Sequence, residues 1–177
     1  MHLTFKIAST ADMLPPEREL AQAAGRGVSN TVKAHLRTRN LSTSHSDGLP
    51  KSNYYGEAAN SVTTDMQGKV AVVWIQKEGM ALHYYGGVVY PGPGKKALAV
   101  PKHPAAAGRR PAELDPDRSK LSLVWPKGKS TGTLRNKESG EVYYLLIPKA
   151  TIQADQSILP TEAALVDAGN SAMEAIL

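Results

Sequence analysis

The chain contains no cysteine in its 177 residues. That excludes a disulfide framework and a thiolate metal site, and it suits a reducing compartment. No apolar run approaches the ~20 residues a helix needs to span a bilayer, so no membrane partner is expected. The N-terminal MHLTFKIAST has no apolar core of a signal peptide and reads as a short strand, which points to a soluble protein made in the cytoplasm. Phenylalanine occurs once, and no RNP-like pattern of strand aromatics accompanies it. Hydrophobic content of 41% and a mean hydropathy of −0.31 fit one domain of residues 1–177 with a modest core and protruding segments.

The positive charge is concentrated. Between Pro91 and Lys129 stand nine Lys and Arg against three acids, whereas the rest of the chain holds 12 basic and 13 acidic residues. Residues 91–130 therefore read as a basic, loop-rich arm able to attract phosphate or an acidic protein surface.

Secondary structure follows from periodicity and punctuation. His2 to Ile7 reads as a strand. Leu14-Pro15-Pro16-Glu17 opens a helix of about 20 residues, with prolines tolerated in the first turn and Glu17 and Glu19 at the positive end of the dipole. Leu20, Ala24, Val28, Val32 and Leu36 make its apolar stripe. Gly25 and Gly27 weaken this helix; they mark either a close approach to a sheet or another subunit, or a bend. Residues 40–53 read as an exposed loop. A short helical patch from Tyr54 to Asn60, a strand near Ser61 to Met66 and a strand from Lys69 to Lys77 follow. Val70, Val72 and Trp74 on one face of the last and Ala71, Val73 and Ile75 on the other predict burial on both sides.

Glu78-Gly79 then turns into an aromatic strand, Ala81 to Tyr85. Beyond Gly86-Gly87, Val88 to Tyr90 and Ala97 to Val100 suggest a β-hairpin about a Pro/Gly turn. Further strands are expected at Leu121 to Trp125, Thr131 to Arg135 and Glu141 to Ile147, the last two joined by Asn136 to Gly140 with a left-handed glycine. A final helix opens at Ile158-Leu159-Pro160-Thr161-Glu162, with Leu165, Gly169, Ala172, Met173 and Ile176 on a stripe suited to a sheet. The order implies an α+β fold: a mostly antiparallel sheet, sandwich-like or curved, flanked by N- and C-terminal helices and carrying long extended loops.

Catalytic patterns are missing from the sequence. The five histidines lack metal-binding spacing, and no metal or cofactor is expected. Ser42, Ser44, His45, Ser46 and Asp47 hold the letters of a triad without the separated placement that orients a nucleophile and its base. Gly92, Gly94, Lys95 and Lys96 lack the full phosphate-loop spacing and lead into a strand. Glu113, Asp115 and Asp117 read as local charge balance, so an enzyme is not expected. Tyr84, Tyr85, Tyr90, Tyr143 and Tyr144, read as strand residues, suit subunit contacts. With basic neighbours they would also suit a nucleic-acid module that contacts DNA non-specifically.

One set of motifs occurs in order. Gly86-Gly87-Val88-Val89-Tyr90-Pro91 is followed by Lys96 to Pro101 (KALAVP) and by Ala107-Gly108-Arg109-Arg110-Pro111-Ala112. Upstream stands Lys51 to Ala59 (KSNYYGEAA); downstream stand Glu141 to Lys149 and Gln153 to Pro160 (QADQSILP). This succession resembles the virion morphogenesis and tail-completion proteins of tailed bacteriophages, particularly those of Mu-like structural modules. The resemblance covers most of the chain from Lys51 onward. It departs at Gln156, where proline is usual, and Asp115 to Ser130 matches no family pattern. It implies a non-enzymatic virion protein assembled in the host bacterial cytoplasm. Such a protein would form a homo-oligomeric ring at the head–tail junction or tail top and meet other neck, head-connector and tail proteins. Non-specific contact with packaged DNA is a further expectation. The residues expected to make contacts are Lys95, Lys96, Lys102, Arg109 and Arg110, with Tyr84 and Tyr85.

Overall fold

A computed structural model describes residues 2–4, 16–42, 49–50 and 52–177. The chain is α+β with antiparallel pairing throughout. The single domain read from the sequence resolves into two compact units. One gathers the described residues of 1–42, 53–86 and 153–177, the other those of 43–52 and 87–152.

In the first unit, β1 (His2–Thr4), β2 (Val62–Gln67) and β3 (Val70–Ile75) form a sheet with β3 in the centre. The rest of the strand expected up to Ile7 lies outside the described residues. Helix α1 (Glu17–Ser42) is about 39 Å long at 1.5 Å per residue. It runs further than the sequence suggested and takes Asn40 to Ser42 from the expected 40–53 loop; residues 43–48 and 51 of that loop lie outside the described residues. Leu20, Ala24, Val28, Val32 and Leu36 are all buried, as the stripe required. Ala21, Ala23, Gly25 and Ser29 are buried too, because the helix is covered on two sides.

The two glycines serve those two sides. A Cβ on Gly25 would meet the Ala71 Cβ at 2.6 Å and the Thr64 methyl at 2.9 Å. A Cβ on Gly27 would meet the Ala168 carbonyl oxygen at 2.3 Å. Gly25 thus lets α1 approach the sheet, and Gly27 lets it approach α5 (Glu162–Glu174). The α5 stripe of Leu165 and Gly169 packs on α1, not on a sheet as expected. Short helix α2 (Tyr54–Asn60) contributes Ala58 and Ala59 to the same core, with Val73, Ile75 and Met80. On β3, Ala71, Val72, Val73 and Ile75 are buried while Val70 and Trp74 are half-buried, so only one face is fully covered.

Residues 81–85 are helical, not a strand. They belong to α3 (Met80–Tyr85), entered through Gly79 at φ 85°. Met80 and Tyr84 are four apart and share an inward face; that packing overrides the strand preference of the aromatics. The Tyr54 hydroxyl donates to the Glu78 carbonyl at 2.8 Å, and burial with the neighbouring Tyr55 pushes its pKa up to about 12.

In the second unit, β5 (Leu98–Pro101), β8 (Val142–Ile147), β7 (Gly132–Asn136) and β6 (Leu121–Val124) form a sheet in that order. β4 (Gly87–Val89) pairs with β9 (Ala150–Ile152) in a small separate sheet. The expected hairpin of β4 on β5 is therefore not formed, since each pairs with a late strand, and β9 was not anticipated. Within residues 91–130 the two expected strands form, and a short helix that was not expected joins them. These residues supply β5, the short helix α4 (Pro111–Leu114) and edge strand β6. Buried Tyr144, Leu121 and Ala106 form the core of this unit, with Ala99, Leu114, Leu134 and Tyr143 against it. The β7–β8 turn ends on Gly140 at φ 73°, as predicted.

Candidate interaction surface

The charge divides along the same line as the fold. Gly87–Ile152 carries 12 Lys and Arg against 5 Asp and Glu, a net +7; the remainder carries 9 against 11, a net −2. Every basic residue singled out from the sequence lies in the second unit. Lys95 and Lys96 are exposed in the β4–β5 connection, where the Lys95 N–H closes a turn on the Gly92 carbonyl at 3.0 Å. Lys102 is exposed just after β5, its N–H on the Tyr143 carbonyl at 2.9 Å. Arg109 and Arg110 are exposed at the entrance to α4. Tyr84 and Tyr85 belong to the chain's other unit, on α3. Tyr84 packs against the first core, and Tyr85 is 66% exposed with its ring edge-on to Tyr84 at 4.8 Å.

The segment Arg109 to Leu114 is held from below. The fully buried Tyr144 donates its hydroxyl to the Arg109 carbonyl at 3.1 Å. Burial raises the Tyr144 pKa and Glu113 adds to it, while Arg109 opposes. The Arg110 N–H donates to the Glu113 carboxylate at 2.9 Å, closing the first turn of α4. Because Tyr144 grips a main-chain oxygen, the Arg109 side chain is not drawn into this bond, and the largely exposed Arg110 guanidinium lies 4.0 Å from the Glu113 carboxylate.

Asp115 holds the next corner. It is 5% exposed and accepts the N–H groups of Lys120 at 3.0 Å and Leu121 at 2.7 Å. It is therefore a structural acceptor that starts β6, where the sequence suggested only charge balance. Within the corner, Asp117 accepts from the Ser119 hydroxyl at 2.8 Å, which lowers its pKa. Arg118 takes φ 58°, a left-handed position unusual for a side chain larger than Asn. The Lys137 ammonium donates to the Arg118 carbonyl at 2.9 Å.

Beyond the corner, β6 leaves three successive apolar residues at the surface: Leu123, Val124 and Trp125, of which Leu123 is 62% exposed. β6 is also an edge of its sheet. Exposed edges with consecutive apolar residues are what monomeric proteins avoid. The Trp125 ring covers Gly132 and its indole N–H donates to the Lys129 carbonyl at 2.9 Å, fixing the β6–β7 turn. A groove of about 480 Å³ runs beside the strand, lined by Pro111, Ala112, Arg118, Leu121, Leu123 and Leu134. The sequence marked the charge of this region but missed the groove, which the Asp115 corner creates.

The first unit holds a polar cluster that sequence reasoning also missed. Asp155 accepts from Arg39 and from the Ser157 hydroxyl at 2.6 Å, and His35 donates to the Ser157 carbonyl at 2.9 Å. The Ser157 hydroxyl, foremost, and Arg39 hold the Asp155 pKa low. His35 meets the carbonyl and not the hydroxyl, so no base is set against a nucleophile. The cluster ties the C-terminal segment to α1. Among the described residues no group of three His, Asp or Glu could hold a metal ion, and no helix is long and apolar enough to cross a membrane. No protein family, curated protein or solved structure matches the chain.

Proposed function

We propose that this chain is a structural, non-catalytic subunit of a tailed-phage virion that assembles as a ring at the head–tail junction or tail top. The observation that carries the reading is the ordered succession GGVVYP, KALAVP, AGRRPA and QADQSILP along one chain. The geometry is compatible. A closed ring needs two different surfaces on each subunit that fit one another, and the chain offers a cationic unit with exposed apolar residues and a mildly anionic remainder. Arg109 and Arg110 project from a turn whose stability rests on main-chain bonds. Reversing both to Glu is expected to leave the protein folded, by circular dichroism and thermal midpoint, while stopping production of complete particles. Normal infectious yield from the double variant would overturn the reading.

The +7 charge of Gly87–Ile152 favours a second reading, non-specific contact with DNA. Binding to duplex DNA would then weaken steeply with salt, with a log–log slope near −0.9 per phosphate neutralised.

A further inference from the structure

The groove beside β6 has a counterpart elsewhere in the chain. Residues 150–177 contain four acids and no Lys or Arg; Asp155 is paired with Arg39, and Glu162, Asp167 and Glu174 remain exposed on α5. With Leu165 and Gly169 turned inward on α1, the 100° helical step puts Glu162 and Met173 beside that buried face, Val166 on its margin, and Asp167 and Glu174 outward. Val166 is 49% exposed, and Leu177, just beyond the helix, is 67% exposed. Val166 and Leu177 thus form an apolar margin along an acidic outer face. The β6 groove is its complement in chemistry: apolar walls from Leu121, Leu123 and Leu134, Arg118 at the wall, and exposed Lys120, Lys127 and Lys129 along the same strand and turn.

We infer that the outer face of α5 of one copy docks in the β6 groove of a second copy, with Val166 near Leu123 and Glu162 and Asp167 facing Arg118 and Lys120. Apolar contact covers the exposed edge residues, and the charges set orientation. The contact joins two different patches, so it is head-to-tail and propagates to a ring or filament. This inference rests on the proposed ring-forming role and names the surfaces that would carry it.

The absence of cysteine makes the test specific. One preparation of the full chain carries Val166→Cys and another Leu123→Cys; the two are mixed and oxidised. The expected product is a disulfide-linked pair containing one copy of each, far exceeding either homodimer and reduced by high salt. Arg118→Glu in the Leu123→Cys copy should lower its yield about tenfold, and Glu162→Lys in the partner should restore much of it. Predominant Leu123–Leu123 linkage would overturn the inference in favour of edge-to-edge strand pairing. A mixed product indifferent to charge reversal would also overturn it, as would duplex DNA occupying the groove with no mixed product. Sedimentation of the unmodified chain separates the two levels. Association without the 123–166 linkage overturns the docking and leaves the ring reading standing. A chain that stays monomeric overturns the docking, and the Arg109/Arg110 particle assay then decides the ring reading alone.

Discussion

The two units solve the same folding problem with different means. In the first, a 26-residue helix is covered by a sheet on one side and a helix on the other, and the core draws on α1, α2, β2, β3, α3 and α5, with Ile158 and Leu159 from the segment before α5. Each fully buried Val or Leu there contributes roughly 1.5–3 kcal/mol. In the second, three residues form the buried core, and much of the order comes from polar fasteners: Asp115 on two N–H groups, Tyr144 on a carbonyl, Trp125 over Gly132. The first unit spends its apolar residues inside. The second keeps Leu123 and Val124 exposed on an edge strand, with Trp125 just past it, and carries a net +7 where the whole chain carries +5. That exposure is the observation on which the proposed interaction surface rests.

The contrast can be broken unit by unit, because each unit owns one tryptophan, Trp74 or Trp125. The largest effect is expected from Tyr144→Ala. It empties the centre of a three-residue core and removes the hydroxyl from the Arg109 carbonyl. A loss of about 3–5 kcal/mol is expected, seen in urea titration as early unfolding of the Trp125 signal with the Trp74 signal shifted much less. Coincident loss of both signals would show that the units are not separately stable.

Gly27→Ala should act on the other side of the comparison. Alanine improves helix propensity by up to about 1 kcal/mol, but the new methyl would lie 2.3 Å from a main-chain oxygen of α5. Forcing the helices apart costs about 1–3 kcal/mol, so a net loss is expected in the Trp74 signal alone. Gly108→Ala makes a useful contrast, since a Cβ there meets nothing within 4 Å and only the φ of 70° opposes it.

The smallest effect concerns pH. The Asp155 pKa is lowered in the folded protein, so its contribution is complete above the ordinary carboxylate value of about 3.9. It is lost as pH falls through the depressed folded value. Asp155 is partly exposed, and screening keeps the effect below about 1 kcal/mol. Asp155→Asn should flatten the acid side of the stability curve for the Trp74 signal and leave that of Trp125 unchanged.

These contrasts follow what was and was not legible in the residues. The α1 stripe, the central strand β3, the β7–β8 hairpin and the C-terminal helix all carry a local period, and each formed where the pattern lies. Residues 80–85 did not, because their helix depends on Met80 and Tyr84 reaching one core, a tertiary fact. The β4–β5 hairpin failed for a related reason. Its turn chemistry was sound, but β4 pairs with Ala150–Ile152 and β5 with Tyr144–Ile147, far along the chain, and nothing local announces a long-range pairing. The basic residues were readable as charge, whereas the groove lined by Arg118 exists only once Asp115 has turned the chain. Gly25 and Gly27 could be read either as close approaches or as a bend, and only the packed structure shows that each is a close approach, to a different neighbour.

The most direct test of the account is electron microscopy of intact tailed particles in which this protein is tagged or resolved. The account predicts a ring of copies at the head–tail junction or tail top, successive subunits joined head-to-tail through the Gly87–Ile152 unit. Particles that lack the protein, or that carry it as isolated copies, would contradict it.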